Sequence, residues 1–93
     1  MNEKILERRL VKTVKMMGGL CMKFVSPGLD GVPDRIILLP GGRIGFVEIK
    51  TTGLTLRPLQ MRRKKQFENL GFSVFILDRP EQIGGIIDEI QSS

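Results

Sequence analysis

Residues 34–50 read Asp34-Arg35-Ile36-Ile37-Leu38-Leu39-Pro40-Gly41-Gly42-Arg43-Ile44-Gly45-Phe46-Val47-Glu48-Ile49-Lys50. Two apolar runs flank a Pro-Gly-Gly turn, the pattern of a β-hairpin. Residues 35–39 are apolar without alternation, as in a strand covered on both faces. Residues 44–50 form the returning strand, and Glu48 and Lys50, two places apart, leave the same face of it. Pro33 cannot donate a ladder hydrogen bond, so Asp34 should begin its strand. An even loop centred on Gly41-Gly42 would pair Asp34 with Ile49 and turn Asp34 away from Glu48 and Lys50. An odd-length loop or a bulge shifts the register by one and brings Asp34 opposite Glu48 or Lys50. Such an irregularity is expected, in the 40–43 turn or where Pro33 enters the strand.

Two carboxylates and one ammonium then meet at the edge of a small core. That arrangement is costly unless something compensates the charge. A divalent cation and a phosphodiester would do so. Asp34 and Glu48 are the expected metal ligands, with the carbonyl of Ile49 as a third, because Mg²⁺ accepts backbone oxygen. Lys50 would hold the attacking water or steady the developing charge. The pattern thus points to phosphodiester hydrolysis assisted by a metal.

The rest of the chain reads outward from this hairpin. Asn2 caps a first helix running to about residue 17, striped by Leu6, Leu10, Val14 and Met17 and ended by Gly18-Gly19. Residues 21–25 form a short strand, 28–33 a loop, and 51–56 a second loop. Pro58 opens a second helix that closes at Gly71. Residues 73–77 form a fourth strand. Asp78 and Glu81 resemble a capping box for a last helix, striped by Ile83, Ile86, Ile87 and Ile90 and weakened by Gly84 and Gly85. The expected fold is α/β in the order α-β-β-β-α-β-α. The crossover after Lys50 requires a parallel pair, so the four-stranded sheet is mixed, with helices on both faces.

Ninety-three residues make a single domain, 1–93, with a small core that pairing with a second copy would help. The net charge of +5 favours an acidic partner such as nucleic acid. No apolar run spans a bilayer and no secretory leader is visible, so a cytoplasmic protein without membrane association is expected. One cysteine, Cys21, excludes an internal disulfide, and the absence of histidine excludes His-ligated metals and His general bases. Any metal therefore sits on oxygen, which suits Mg²⁺ or Mn²⁺, and no organic cofactor is indicated. Without Trp or Tyr a stacking platform for single strands is improbable, so binding should follow nucleic-acid shape. The five phenylalanines and Met16, Met17, Met22 and Met61 are expected to fill the core.

Gly31-Val32-Pro33-Asp34-Arg35, Gly41-Gly42-Arg43, Phe46-Val47-Glu48-Ile49-Lys50 and Arg57-Pro58-Leu59-Gln60 together resemble the VRR-NUC domain, a family of the PD-(D/E)XK nuclease superfamily. The similarity extends over nearly the whole chain, including Gly18-Gly19 and Lys23-Phe24. It implies a restriction-endonuclease-like fold and Mg²⁺- or Mn²⁺-dependent cleavage of DNA. Small stand-alone members, often phage-encoded, are similar to Holliday-junction resolvases and act as homodimers on branched DNA. The resemblance places the catalytic set on Asp34, Glu48, Lys50 and the helix glutamine Gln60, and expects a glutamate on the first helix. Glu3 and Glu7 are both candidates. Glu7 is favoured because it faces the core side one turn before Leu10 and Val11, where it would orient the metal's water or hold a second ion. For Glu3, complementing the helix N-terminus and pairing with Arg8 or Arg9 is the simpler expectation.

Part of the run Arg57, Arg62, Arg63, Lys64 and Lys65 on or beside the second helix is expected to contact DNA, with Lys12, Lys15, Lys23 and Arg35 as further candidates, giving affinity and position but no base reading. Two other classes fit the composition. A non-catalytic nucleic-acid-binding module with the same fold would bind DNA without cutting it. A purely structural dimeric subunit would show no salt-dependent DNA affinity.

Overall fold

The computed structural model describes residues 2–51 and 53–93; Thr52, within the expected 51–56 loop, lies outside them. The chain runs α1 (Glu3–Met16), β1 (Leu20–Lys23), β2 (Arg35–Leu39), β3 (Arg43–Ile49), α2 (Pro58–Asn69), β4 (Val74–Leu77), a 3₁₀ turn (Pro80–Gln82) and α3 (Ile83–Ser92). The four strands form one sheet in the order β1-β2-β3-β4. β1 and β2 are antiparallel, as are β2 and β3, whereas β3 and β4 are parallel. The α-β-β-β-α-β-α order and mixed sheet are those expected from the sequence.

The hairpin carries the expected irregularity. Leu39 pairs with Arg43, so residues 40–42 make a three-residue loop. Gly41 and Gly42 both have positive φ, 87° and 75°, a conformation that costs glycine little and other residues more. The register runs from Leu39↔Arg43 to Arg35↔Val47, and one further step sets Asp34 across from Glu48. The ladder continues past β1 as well, since the Phe24 N–H donates to the carbonyl of Asp34 at 2.9 Å.

Alternation along the strands separates two cores. Ile37, Leu39, Val47, Ile49 and Leu77 meet Leu6, Leu10 and Val14 of α1 and Ile83, Ile86, Ile87 and Ile90 of α3. α2 lies on the other face, over a cluster in which Phe46 is 4.9 Å from Phe67 and 5.5 Å from Phe24, with Phe72 at 6.0 Å. The phenylalanines therefore build this second, smaller core, apart from Phe75, which packs against the first.

Several expectations are corrected. Met16, Met17, Met22 and Met61 are exposed, not core, because α1 ends at Met16 and the outer faces of α2 and β1 are uncovered. The backbone-capping side chain before the last helix is Gln82, where Glu81 was expected: Pro80 opens a 3₁₀ turn, and Gln82 accepts from the N–H groups of Asp78 and Arg79 at 2.8 and 3.1 Å. Asn2 caps α1 as expected, accepting from the Ile5 N–H at 2.9 Å.

Two glycine classes predict opposite effects. A Cβ on Gly19 would lie 2.4 Å from the Leu38 carbonyl oxygen and 2.7 Å from Leu39 Cδ2, whereas Gly84 and Gly85, in the helix α3, have open space at that position. Gly19→Ala should lose about 2 kcal/mol or more through overpacking. Gly84→Ala should gain about 0.5–1 kcal/mol, both read by urea unfolding.

Candidate active site

Where β2 stops, β3 continues. One place beyond the Asp34–Glu48 pair, the register sets Pro33 across from Ile49. Pro33 has no N–H to offer the Ile49 carbonyl. Asp34 takes over the other half of the missing rung: its Oδ2 accepts from the Ile49 N–H at 2.8 Å. In an extended strand the N–H and C=O of one residue leave on the same side. The Ile49 carbonyl therefore points to the edge where the Asp34 carboxylate sits. The next N–H, of Lys50, turns the other way and donates to Leu77 of β4 at 2.9 Å.

Glu48 lies on the α2 face and is 4% exposed. Its Oε2 accepts from Gln60 Nε2 at 2.7 Å and lies 3.6 Å from Lys50 Nζ. Gln60 is the one buried residue of α2, and its Oε1 accepts from the Arg57 N–H at 2.9 Å. The same amide thus caps its own helix and holds Glu48. α2 is seated in turn by the 28–33 loop. Gly31 (φ 82°) lies so close to α2 that a Cβ there would come within 2.8 Å of Leu59 Cγ, and Arg63 Nε donates to the Asp30 carbonyl at 2.7 Å.

The electrostatics are those of a site awaiting positive charge. Burial, then the nearby Asp34 carboxylate, pushes the Glu48 pKa up to about 7, against the opposing pull of Lys50 and Arg57. Asp34 is solvent-accessible, yet loss of surrounding water raises its pKa too. The Ile49 N–H and Lys50 oppose that rise, while Glu7 and Glu3 add to it. The donor set is two carboxylates and a backbone carbonyl at an open edge. It fits a hard cation such as Mg²⁺, which keeps several waters beside one or two carboxylates.

The structure brings Asp34, Glu48, Lys50 and Gln60 together and leaves the first-helix glutamates on the flank. Glu7 is ion-paired with Arg35 Nε at 2.8 Å, on the α1 side of β2. Glu3 reaches across to the end of β3, accepting from the Thr51 N–H and hydroxyl at 3.2 and 3.1 Å. It therefore joins two elements, a role beyond complementing its own helix N-terminus. Of the expected DNA contacts, Lys23, Arg57 and Arg62 are exposed. Lys64 pairs with Glu68 at 2.8 Å. The Arg35 guanidinium is held by Glu7 and by the Cys21 carbonyl at 3.2 Å. Burial pushes the Cys21 thiol up to about 11, in keeping with an inert strand residue. The Arg35–Glu7, Glu3–Thr51 and Arg63–Asp30 ties escaped the sequence reading. They join residues far apart in the chain, and no local spacing signals them.

No family model matches the chain. It is 46% identical over 76 residues to "Putative nuclease p44" of Acyrthosiphon pisum secondary endosymbiont phage 1, a stretch covering 82% of each protein. It also superposes on a solved structure described as a VRR-NUC domain, with a TM-score of 0.86 and 30% identity, over 92% of this chain and 94% of that one.

The raised pKa of Glu48 gives a stability prediction. Its folded pKa lies above its unfolded value, so its contribution is fully present below about pH 4.5 and is lost as pH rises through about 7. Metal-free Glu48→Gln should therefore be more stable than the parent at pH 8, by on the order of 1–2 kcal/mol. The gain should shrink toward zero near pH 4.5. Urea unfolding in EDTA at the two pH values measures this, and an equal difference at both would refute it.

Proposed function

The chain belongs to the VRR-NUC family of nucleases, and from that premise we propose that it is a Mg²⁺- or Mn²⁺-dependent DNA endonuclease. Asp34, Glu48, Lys50 and Gln60 are its catalytic set. The observation that carries this reading is the end of β2. There Asp34 and Glu48 face one another beside the Lys50 ammonium, and Asp34 holds the Ile49 N–H.

In hydrolysis a water oxygen bonds to phosphorus, the bond to the leaving sugar oxygen breaks, and a proton ends on that oxygen. Asp34, Glu48 and the Ile49 carbonyl would hold the cation, with Glu7 contributing through a water. The bound ion supplies positive charge beside the scissile phosphate and lowers the pKa of water. Lys50 orients the attacking water or steadies charge developing on the phosphate oxygens. Gln60 is a positioning residue: its amide donates to the Glu48 carboxylate and accepts from the Arg57 N–H, tying that carboxylate to the start of α2. Arg57, Arg62, Arg63 and Lys64, on or beside α2, contact the DNA backbone, with Lys23 on the far side of the site.

Branched DNA, including Holliday junctions, is the proposed substrate, cut by a homodimer. Two single-site subunits related by a twofold axis can cut two strands symmetrically. Pairing is supported by Leu20 and Met22 on the edge strand β1, which are 60% and 41% exposed. No described helix is long and apolar enough to cross a membrane, and we place the protein in the cytoplasm with its DNA.

Purified protein should nick or cut branched DNA with Mg²⁺ or Mn²⁺ and be inert in EDTA. Asp34→Ala and Lys50→Ala should each lose on the order of 10²-fold or more in rate, with DNA affinity retained. Mg²⁺ should raise the melting temperature of the parent at pH 8 more than that of Glu48→Gln. Sedimentation should give about twice the chain mass of 10.5 kDa. Metal-dependent nicking that survives both alanine substitutions would refute the site. DNA binding without cleavage under either metal would favour a non-catalytic binding module.

A further inference from the structure

α1 carries Lys4, Arg8, Lys12 and Lys15 at spacings of four, four and three. These spacings put successive cations on one helix face. They line a groove of about 450 Å³ whose other wall is Lys23, at the end of β1, and whose floor includes Val11. All five cations are exposed. Among the described residues none of them forms an ion pair, and the one carboxylate in the groove, Glu7, is already held by Arg35.

This arrangement does not serve the fold. Like charges at i,i+4 destabilise an isolated helix by about 0.2–0.5 kcal/mol per pair. α1 holds two such pairs, Lys4/Arg8 and Arg8/Lys12, and the i,i+3 pair Lys12/Lys15 on one side, while Leu6, Leu10 and Val14 anchor the other. The groove lies beside the site along the sheet: Lys23 pairs with Arg35, which lines the groove and directly follows Asp34. α1 and α2 lie on opposite faces of the sheet, so this row of cations is separate from that on α2.

We propose that the groove between α1 and the end of β1 is a second binding site for the phosphodiester backbone of DNA. Lys4, Arg8, Lys12, Lys15 and Lys23 hold a strand that passes Asp34 and runs along α1. The proposal rests on the nuclease reading for its ligand but not for its test, which requires no cleavage. Long, exposed Lys and Arg side chains over an apolar floor suit phosphates, which need point charges and no fixed base geometry.

The test is fluorescence anisotropy on labelled duplex and four-way junction in EDTA across a salt series. The variant carries Lys4→Gln, Arg8→Gln, Lys12→Gln and Lys15→Gln together. Glutamine matches these residues in helix propensity, and relief of repulsion should keep the melting temperature at or above that of the parent. At low salt its affinity should fall at least tenfold. The slope of log K against log salt should become shallower by about 2–4, at roughly 0.9 per lost phosphate contact. Lys12→Gln with Lys15→Gln alone, far from the helix start, should give about half the change. A control variant, Arg9→Gln, Arg43→Gln and Arg79→Gln, removes cations outside the groove and should change the slope by less than about 1. An unchanged slope in the folded groove variant, or an equal loss in the control, overturns the inference while leaving cleavage by the parent intact. Failure of the catalytic reading would instead appear as nicking that survives Asp34→Ala, with the groove result unaffected.

Discussion

Strand register is the constraint on which the site depends. Side chains alternate between faces, so a one-residue slip between β2 and β3 would turn Asp34 away from Glu48. The turn prevents that slip. Three residues close the hairpin, and two of them, Gly41 and Gly42, occupy left-handed backbone conformations that a bulkier residue adopts at a cost. At the opposite end Pro33 stops the ladder, which frees Asp34 to take the Ile49 N–H. Glycines and a proline distant from the chemistry thus decide which groups can meet there.

The site works against the stability of the protein that holds it. Glu48 is buried beside another carboxylate, and its protonated form is favoured up to about neutrality. Gln60 and Lys50 offset part of this without removing it. α2 packs Phe67 against Phe46 and Phe24, and its one fully buried side chain is the glutamine that holds Glu48. The helix, the loop at Gly31 and the end of β3 therefore form one mechanical unit, in which helix position and carboxylate position are set together. The unpaired cations on α1 express the same tension, since repulsion between them is tolerated where an anionic partner can relieve it.

Much of this was legible in the chain. The hairpin, the helix stripes and the cap at Asn2 are local patterns, and their physical causes act within a few residues. The turn and the alternation left two registers open for Asp34, and the odd one, which it needs in order to meet Glu48, is the one the hairpin has. The methionines were misread because hydrophobicity says nothing of whether a neighbour covers a face; among the described residues, Met22 on β1 and Met61 on α2 point to uncovered faces. The last helix was misread at its start because Pro80 tightens the chain into a 3₁₀ turn whose N–H groups are taken by Gln82. The partners of Arg35, Glu7 and Cys21, lie 28 and 14 residues away, where no local spacing reveals them.

The sequence by itself determined the element order, the two-faced sheet and the identity of the charged residues at the end of β2. These follow from periodicity, from turn chemistry and from the conformational limits of glycine and proline. Only the tertiary structure decided which glutamate of α1 meets which partner, that Gln60 grips Glu48, and that the cations of α1 share a groove with Lys23. Those outcomes depend on how helices seat on a sheet, and that seating is a balance of contacts summed over the whole core.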